Sequence, residues 1–470
     1  MVCRRSVISL AGGLAVGLSS ALVACGSSDG ETQTSSLVID GGGERPTDAG
    51  APEDARGAGD GAATDASGGP SRIEHVVIIV QENHTFDAYF GKYCTAAAGS
   101  NPTCNEGPAC CEGAPETFPG STAPVVLDDA QNGARDPNHT QACELSEMND
   151  GGMDKYTSGP SCANAGNFAV AATDGVVKPY QDLASQYALA DRYFQPLVGQ
   201  SSSNDMYFAV AKYVFTDNAF EPAATGHGCS DPFVNTTTYT SQTTVADLLV
   251  EAGVSFGYYA MGLDVMYAAK LCPAAPADCQ LTVPTLPCTY DPGDVPFEYY
   301  AQFQNNHTYM KDFDDDFVPA VTNGTLPAVS FVKAVTYRNE HPGYGDTISK
   351  GVTFATGVVQ SILESPDYSE NTLVLLTWDE GGGFFDHVTP PPNSPADLQP
   401  YGTRVGMLAI GKFAKKNYVS HVVMEHSSIV KFLEQNFLGT TGQLGARDAV
   451  VNDIGSMLDP AATGAVIPEN

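Results

Sequence analysis

Positive charge is scarce in this chain. Lysine and arginine together number 22 against 55 aspartates and glutamates in 470 residues, a formal net charge of −33. Nucleic-acid binding needs a basic footprint, so this deficit argues strongly against that class. It also repels anionic substrates at long range, so phosphate chemistry here would need a local positive centre, for which a bound metal is the obvious source. The twelve cysteines contain no CxxC pair. That absence, in a chain with an export leader, disfavours a zinc cluster from Cys94, Cys104, Cys110 and Cys111 and favours disulfides. The single tryptophan, Trp378, is most simply core packing. Beyond the first 25 residues no apolar run is long enough to cross a membrane, and no internal repeat is present.

The N-terminus has the parts of an export signal. Arg4-Arg5 precede an apolar stretch from Val7 to Val23, which ends in Leu22-Val23-Ala24-Cys25-Gly26. Leu22 to Cys25 resembles a bacterial lipobox, which implies cleavage before Cys25 and a lipid on its thiol; ordinary signal cleavage beside an incidental cysteine is the alternative. Arg4-Arg5-Ser6-Val7-Ile8 resembles a twin-arginine signal. Residues 26–70 are Gly, Ala, Ser, Thr and Asp with almost no large apolar side chains, a composition that reads as a flexible tether. The expected organisation is therefore a leader over 1–25, a tether over 26–70 and one folded domain over 71–470. The expected location is the bacterial cell envelope, with the membrane reached only through a lipid on Cys25. Setting aside the leader's two arginines and the tether's seven net negative charges leaves −28 on the domain. Cys3 and Cys25 belong to the leader and lipid; the other ten cysteines, all between 94 and 288, are an even set for disulfides of unread connectivity.

Val76 to Val80 is a continuous apolar run, the pattern of a strand buried on both faces of a parallel sheet. It stops at Gln81-Glu82-Asn83. A second such run, Thr372 to Trp378, stops at Asp379-Glu380. Shorter strands are expected at 328–332, 254–260 and 404–410. Residues 178–196 read as helix and then extended chain around Tyr187 to Phe194, and helices are expected near 204–213, 243–252, 348–364 and 427–436. Strands alternating with helices imply an α/β layered fold on a largely parallel sheet. The Cys-rich stretches 92–135 and 264–312 read as a surface excursion and a cap.

In a parallel sheet the two acidic strand ends share one edge, where such sheets place ligands. Four hard oxygen donors there suit Mg, Ca or Mn; nearby histidine widens the choice to Zn or Fe. Gly381-Gly382-Gly383 then lets backbone approach a ligand closely. Asp386-His387 adds an acid/base pair or ligand. Ser201, in the turn Gly199-Gln200-Ser201-Ser202-Ser203-Asn204, opens a helix, where N–H groups and the helix dipole favour an anion. It is a nucleophile if a metal or base activates it, and an N-cap otherwise.

The stretch Glu82-Asn83-His84-Thr85-Phe86-Asp87-Ala88-Tyr89-Phe90-Gly91 resembles the opening motif of the bacterial phospholipase C and acid phosphatase phosphoesterase family, roughly E-N-R-S-F-D-x-x-F-G. The resemblance continues through His139, Asp191-Arg192-Tyr193, Gly199 to Asn204, Glu340-His341-Pro342 and Asp379 to Val388. It implies a three-layer α/β/α sandwich with a largely parallel central sheet, alkaline-phosphatase-like, here with Cys-rich insertions. It also implies a divalent metal held by Glu82, Asn83, Ser201, Asp379 and Glu380, with Ser201 as the nucleophile. Asn204 and Asp386 would bind substrate, and His139, His341 and His387 would line the phosphate pocket. His84-Thr85 stands where the family has Arg-Ser, and Gln200 and Ser203 replace two prolines. The expected function is metal-dependent hydrolysis of phosphoesters, phospholipids among them, in the manner of phospholipase C. Acid-phosphatase-type monoester cleavage and a surface lipoprotein that binds without turnover are the alternatives.

Overall fold

Val76 to Val80 are all within the core, each no more than 3% exposed. Burying five such side chains contributes about 1.5–3 kcal/mol apiece relative to leaving them in water, so this segment anchors the sheet. The computed structural model describes residues 70–118, 123–215, 239–265, 290–304, 306–345 and 347–469. The leader with Cys25, the tether up to residue 69, and Cys229, Cys272, Cys279 and Cys288 lie outside the described residues.

Strand β1 (His75–Gln81) sits inside an eight-stranded sheet. A small separate sheet pairs β2 (Val125–Leu127) with β3 (Ala169–Ala171). The main sheet adds β4 (Ala188–Ala190), β5 (Phe256–Ala260), β6 (Met310–Asp312), β7 (Val329–Lys333), β8 (Thr372–Trp378), β9 (Met407–Ile410) and β10 (Tyr418–Ser420). Their order is β10-β4-β9-β8-β1-β7-β5-β6. Every pairing is parallel except those of β9, which runs antiparallel to β4 and β8. The expected parallel architecture therefore holds with one reversed strand inside it.

Helices cover the sheet in two sets. Ser201–Val210, Val245–Glu251 and His426–Leu433 pack together, as do Asp129–Ala134, Lys178–Gln186 and Thr347–Leu363. These layers explain why β1 and β8 are apolar at nearly every position. No helix among the described residues is long and apolar enough to cross a membrane.

The segment 92–135 differs from the surface excursion expected. Cys94, Cys110, Cys111, Phe118 and Leu127 are all buried. Disulfides Cys94–Cys111 and Cys104–Cys110 fold this loop onto itself, and Cys143–Cys162 ties the helix Gln141–Met148 to the following loop. Cross-linking lets scattered apolar residues without helix or strand periodicity reach the core.

Candidate active site

The register of β1 against β8 builds the site. His75 pairs with Thr372 and Gln81 with Trp378, so the chains leave the sheet side by side. Glu82-Asn83 and Asp379-Glu380 thus emerge as neighbours, and the Asn83 amide donates to Asp379 Oδ1 at 3.3 Å. Asn83 adopts φ 62°, a left-handed conformation that asparagine tolerates better than most residues. Gly382, at φ 63°, passes so close that a β-carbon there would lie 2.5 Å from the Asn83 carbonyl oxygen. Glycine is required at that crossing on both counts.

Ser201 begins the helix Ser201–Val210, and its hydroxyl donates to Glu380 Oε1 at 3.1 Å. Glu82, Asn83, Ser201, Asp379 and Glu380 are each at most 1% exposed. Asn83 Oδ1 and Asp379 Oδ2 are buried with no hydrogen-bond partner. Buried polar atoms are rarely left so, and two unpaired hard oxygens beside further carboxylates fit a hard divalent cation. The electrostatics agree. Burial, together with repulsion from Glu82, pushes Asp379 up to about 7. Burial and the neighbouring Glu144 and Asp379 hold Glu380 well above the usual carboxylate range. A cation would relieve both.

His139 and His341 border this cluster, 6.0 Å apart between ring centroids. Each ring fixes Nδ1 on a backbone carbonyl, His139 on Pro137 at 2.7 Å and His341 on Pro342 at 2.8 Å. A carbonyl only accepts, so Nδ1 carries a proton in both rings and Nε2 is left for chemistry. His139 Nε2 lies 3.8 Å from Glu380 Oε1, and His341 Nε2 lies 4.0 Å from Glu82 Oε2. Burial lowers the His139 pKa, against the pull of Asp136.

The family model for the Phosphoesterase family matches residues 73–438. The chain belongs to the phosphoesterase family. It is a hydrolase acting on phosphoric ester bonds. Phospholipase C B of Mycobacterium tuberculosis is 27% identical over 432 residues, covering 83% of this chain and 78% of that protein. Hemolytic phospholipase C of Pseudomonas aeruginosa is 24% identical over 440 residues, covering 83% and 56% respectively. Among solved structures, an alkaline phosphatase superfamily protein from Vibrio parahaemolyticus aligns over 83% of this chain and 74% of that one, at 9% identity and a TM-score of 0.37.

Three residues expected at the substrate pocket of this phosphoesterase are engaged elsewhere. Asn204 accepts from the Leu197 amide at 3.0 Å and donates to the carbonyls of Gly199 at 2.7 Å and Gln200 at 3.2 Å. Its carboxamide clamps the turn that delivers Ser201. Asp386 receives Arg404 Nε at 2.8 Å and the Asp87 and Val388 amides at 3.1 and 2.9 Å. His387 is held between Asp87 at 2.8 Å and Glu112 at 2.9 Å. None of these bonds reaches the five-residue cluster. Asp386 and His387 instead fasten the glycine loop to the opening motif. Thr85 does the same: its hydroxyl accepts from the Ala88 amide as an N-cap and donates to the Phe385 carbonyl at 2.9 Å. His84 is packed between Tyr89 and Phe384, and burial lowers its pKa to about 4, so it adds no positive charge at neutral pH.

Sequence reasoning missed three residues here. Lys333, at the end of β7, places Nζ 2.8 Å from Glu82 Oε1 and 3.8 Å from Asp205 Oδ2. Burial alone would lower its pKa, but Asp205, Glu82, Asp294 and Asp379 override that and hold it well above the usual lysine value. Glu144 accepts from the Gly199 amide at 2.8 Å and from Gln195 at 3.2 Å, bracing the approach to Ser201. Glu340 sends its carboxyl into the core, where one oxygen receives Gln81 and Tyr180 and the other receives Trp378 at 2.9 Å. Its φ of 82° turns the chain between that buried carboxyl and His341.

Burial pushes Glu340 up to about 7, against those hydrogen bonds. An unfolded glutamate titrates near about 4.3, so the folded state binds the proton more tightly. Its stabilising contribution is present at low pH and is lost as the pH rises through about 7. The wild type's advantage in Tm over Glu340→Gln is therefore expected to shrink between about pH 5 and about pH 7.5. A constant difference across that window would contradict this assignment.

Proposed function

We propose that this phosphoesterase is a metal-dependent enzyme of phospholipase C type that uses Ser201 as its nucleophile. The observation that carries the reading is the Ser201 hydroxyl at 3.1 Å from Glu380, beside the unpartnered oxygens of Asn83 and Asp379. Glu82, Asn83, Ser201, Asp379 and Glu380 would hold the ion. When bound, a divalent metal lowers the pKa of a nearby hydroxyl and offsets charge on phosphoryl oxygens.

The chain's own groups supply the rest. Glu380 accepts the Ser201 proton and orients an oxygen lone pair toward phosphorus. The first N–H groups of the helix Ser201–Val210 favour a phosphoryl anion. As the Ser201–phosphorus bond forms, the bond to the leaving alkoxide breaks, and the alkoxide takes the proton that Ser201 gave up, passed from Glu380 Oε1 through the bare Nε2 of His139, 3.8 Å away, or a proton brought by His341 when that ring is protonated at Nε2. Water then cleaves the phosphoserine and Ser201 is restored. His139, held neutral by burial, is suited to take a proton from that water.

The relatives named phospholipase C support a phosphodiester substrate. The test compares phosphatidylcholine, p-nitrophenylphosphorylcholine and p-nitrophenyl phosphate before and after chelation. The expected result is diester hydrolysis that chelation abolishes and one added divalent ion restores, with the monoester a poorer substrate. Protein shown to bind metal yet hydrolysing none of the three would overturn the reading. Preference for the monoester would move it to the acid-phosphatase type.

A further inference from the structure

Lys333 is buried at the floor of the site among acids from four separate segments. Its ammonium lies 2.8 Å from Glu82 Oε1 and 3.8 Å from Asp205 Oδ2, and Asp294 and Asp379 are near enough to act on it. Lys333 is 3% exposed, Asp205 2% and Asp294 6%. So many carboxylates stay together in an interior by holding protons or by sharing a cation, and Lys333 is the cation placed among these. A cavity of about 10 Å³ is lined by Met261, Asp291, Asp294 and Lys333 among others. A cavity of that size holds about one water and no hydrated ion. Glu82 is thereby divided: Oε1 meets Lys333, while Oε2 turns to the His341 side at 4.0 Å.

We propose that Lys333 is a resident cation of the metal centre. It fills the position a second divalent ion would otherwise occupy, pins Glu82 by one oxygen, and limits the centre to a single exchangeable ion. The inference rests on the metal reading above. Lys333 does not touch the reacting atoms, so it is a positioning residue, and its signature is in metal uptake rather than in turnover alone.

The test is calorimetric titration of the full-length protein with Mg²⁺, Ca²⁺, Mn²⁺ and Zn²⁺ in turn, paired with Tm measured with and without metal. Wild type is expected to take up one ion per chain. Lys333→Met should lose about 5–10 °C of metal-free Tm, because carboxylates are left buried without their partner. It should also bind the first ion at least about tenfold more tightly, with like-charge repulsion removed, and admit a second. Lys333→Arg, which keeps the charge, should stay at one ion. If Lys333→Met does not fold, the charge-balanced pair Lys333→Met/Asp205→Asn carries the test, and it should recover metal-free stability. The inference is overturned if Lys333→Met matches wild type in stoichiometry and affinity, or if the paired variant is no more stable than the single one. Wild type that binds no ion would instead sink the metal reading itself, together with this inference.

Discussion

Ser201→Ala is expected to lower kcat/KM on a phosphodiester by at least about 10³-fold, the scale seen when a nucleophile is removed from a site whose other parts remain. The fold should survive. Ser201 is a small residue at a helix start, its hydroxyl donates to Glu380, and alanine fits the same backbone. Metal affinity should fall modestly, since four oxygen-bearing residues would remain. Ser202→Ala and Ser203→Ala separate this reading from a shifted nucleophile. Ser203 Oγ is buried without a partner, and it is the Ser201 hydroxyl that donates to Glu380. Both variants should keep activity within about tenfold of wild type. Equal rates for wild type and Ser201→Ala would remove the serine from the chemistry.

The largest effect on stability is expected at Arg404. Its guanidinium is wholly buried, with Nε on Asp386 at 2.8 Å, Nη2 on Asp87 at 3.0 Å and Nη1 on the Asp191 carbonyl at 3.1 Å. It also stacks 4.4 Å from the Phe86 ring centroid. Arg404→Met keeps much of the volume but leaves two carboxylates buried beside His387 alone. Breaking a buried pair in this way costs about 3–5 kcal/mol. Denaturant unfolding should show that loss, and Arg404→Met/Asp386→Asn should recover part of it. Asp386→Asn alone separates a scaffolding from a substrate role. Loss of stability with kcat changed by less than about tenfold fits the fastening seen here, whereas a large kcat loss in a stable variant would return Asp386 to the pocket.

The parts of this molecule that could be read from sequence are those with long-range apolar regularity. β1 and β8 are seven-residue strands buried on both faces, so they appear as unbroken apolar runs, and their acidic ends mark one edge of the sheet. Thr347–Leu363 carries a clear helical period and lies within a residue of where it was expected. β9 falls within the strand expected over 404–410 and β4 within the extended part of 178–196, but three or four residues carry no sign of direction, so the reversal at β9 left no trace; β10, with three residues, is too short to show a period. Lys333 was invisible for another reason. A lysine ending a strand ordinarily reaches solvent, and its burial depends on Asp205 and Asp294 arriving from distant segments. Asn204, Asp386 and His387 were placed by motif likeness at the pocket, but hydrogen-bond capacity decides their work. Each is occupied by loop backbone or a buried ion pair. His84-Thr85 illustrates the converse. Thr85 performs the helix capping its position requires, while His84 is taken up by stacking and by a bond to Asn132 at 3.0 Å.

The central claim is that phosphorus passes through Ser201 at a metal centre formed by the ends of β1 and β8. The most direct measurement is acid quenching during steady-state turnover of a radiolabelled phosphodiester, followed by peptide mapping with and without prior chelation. The account predicts label on Ser201 in the metal-loaded enzyme and none after chelation. Label on Ser202, Ser203 or a histidine, or label on Ser201 that persists without metal, would contradict it.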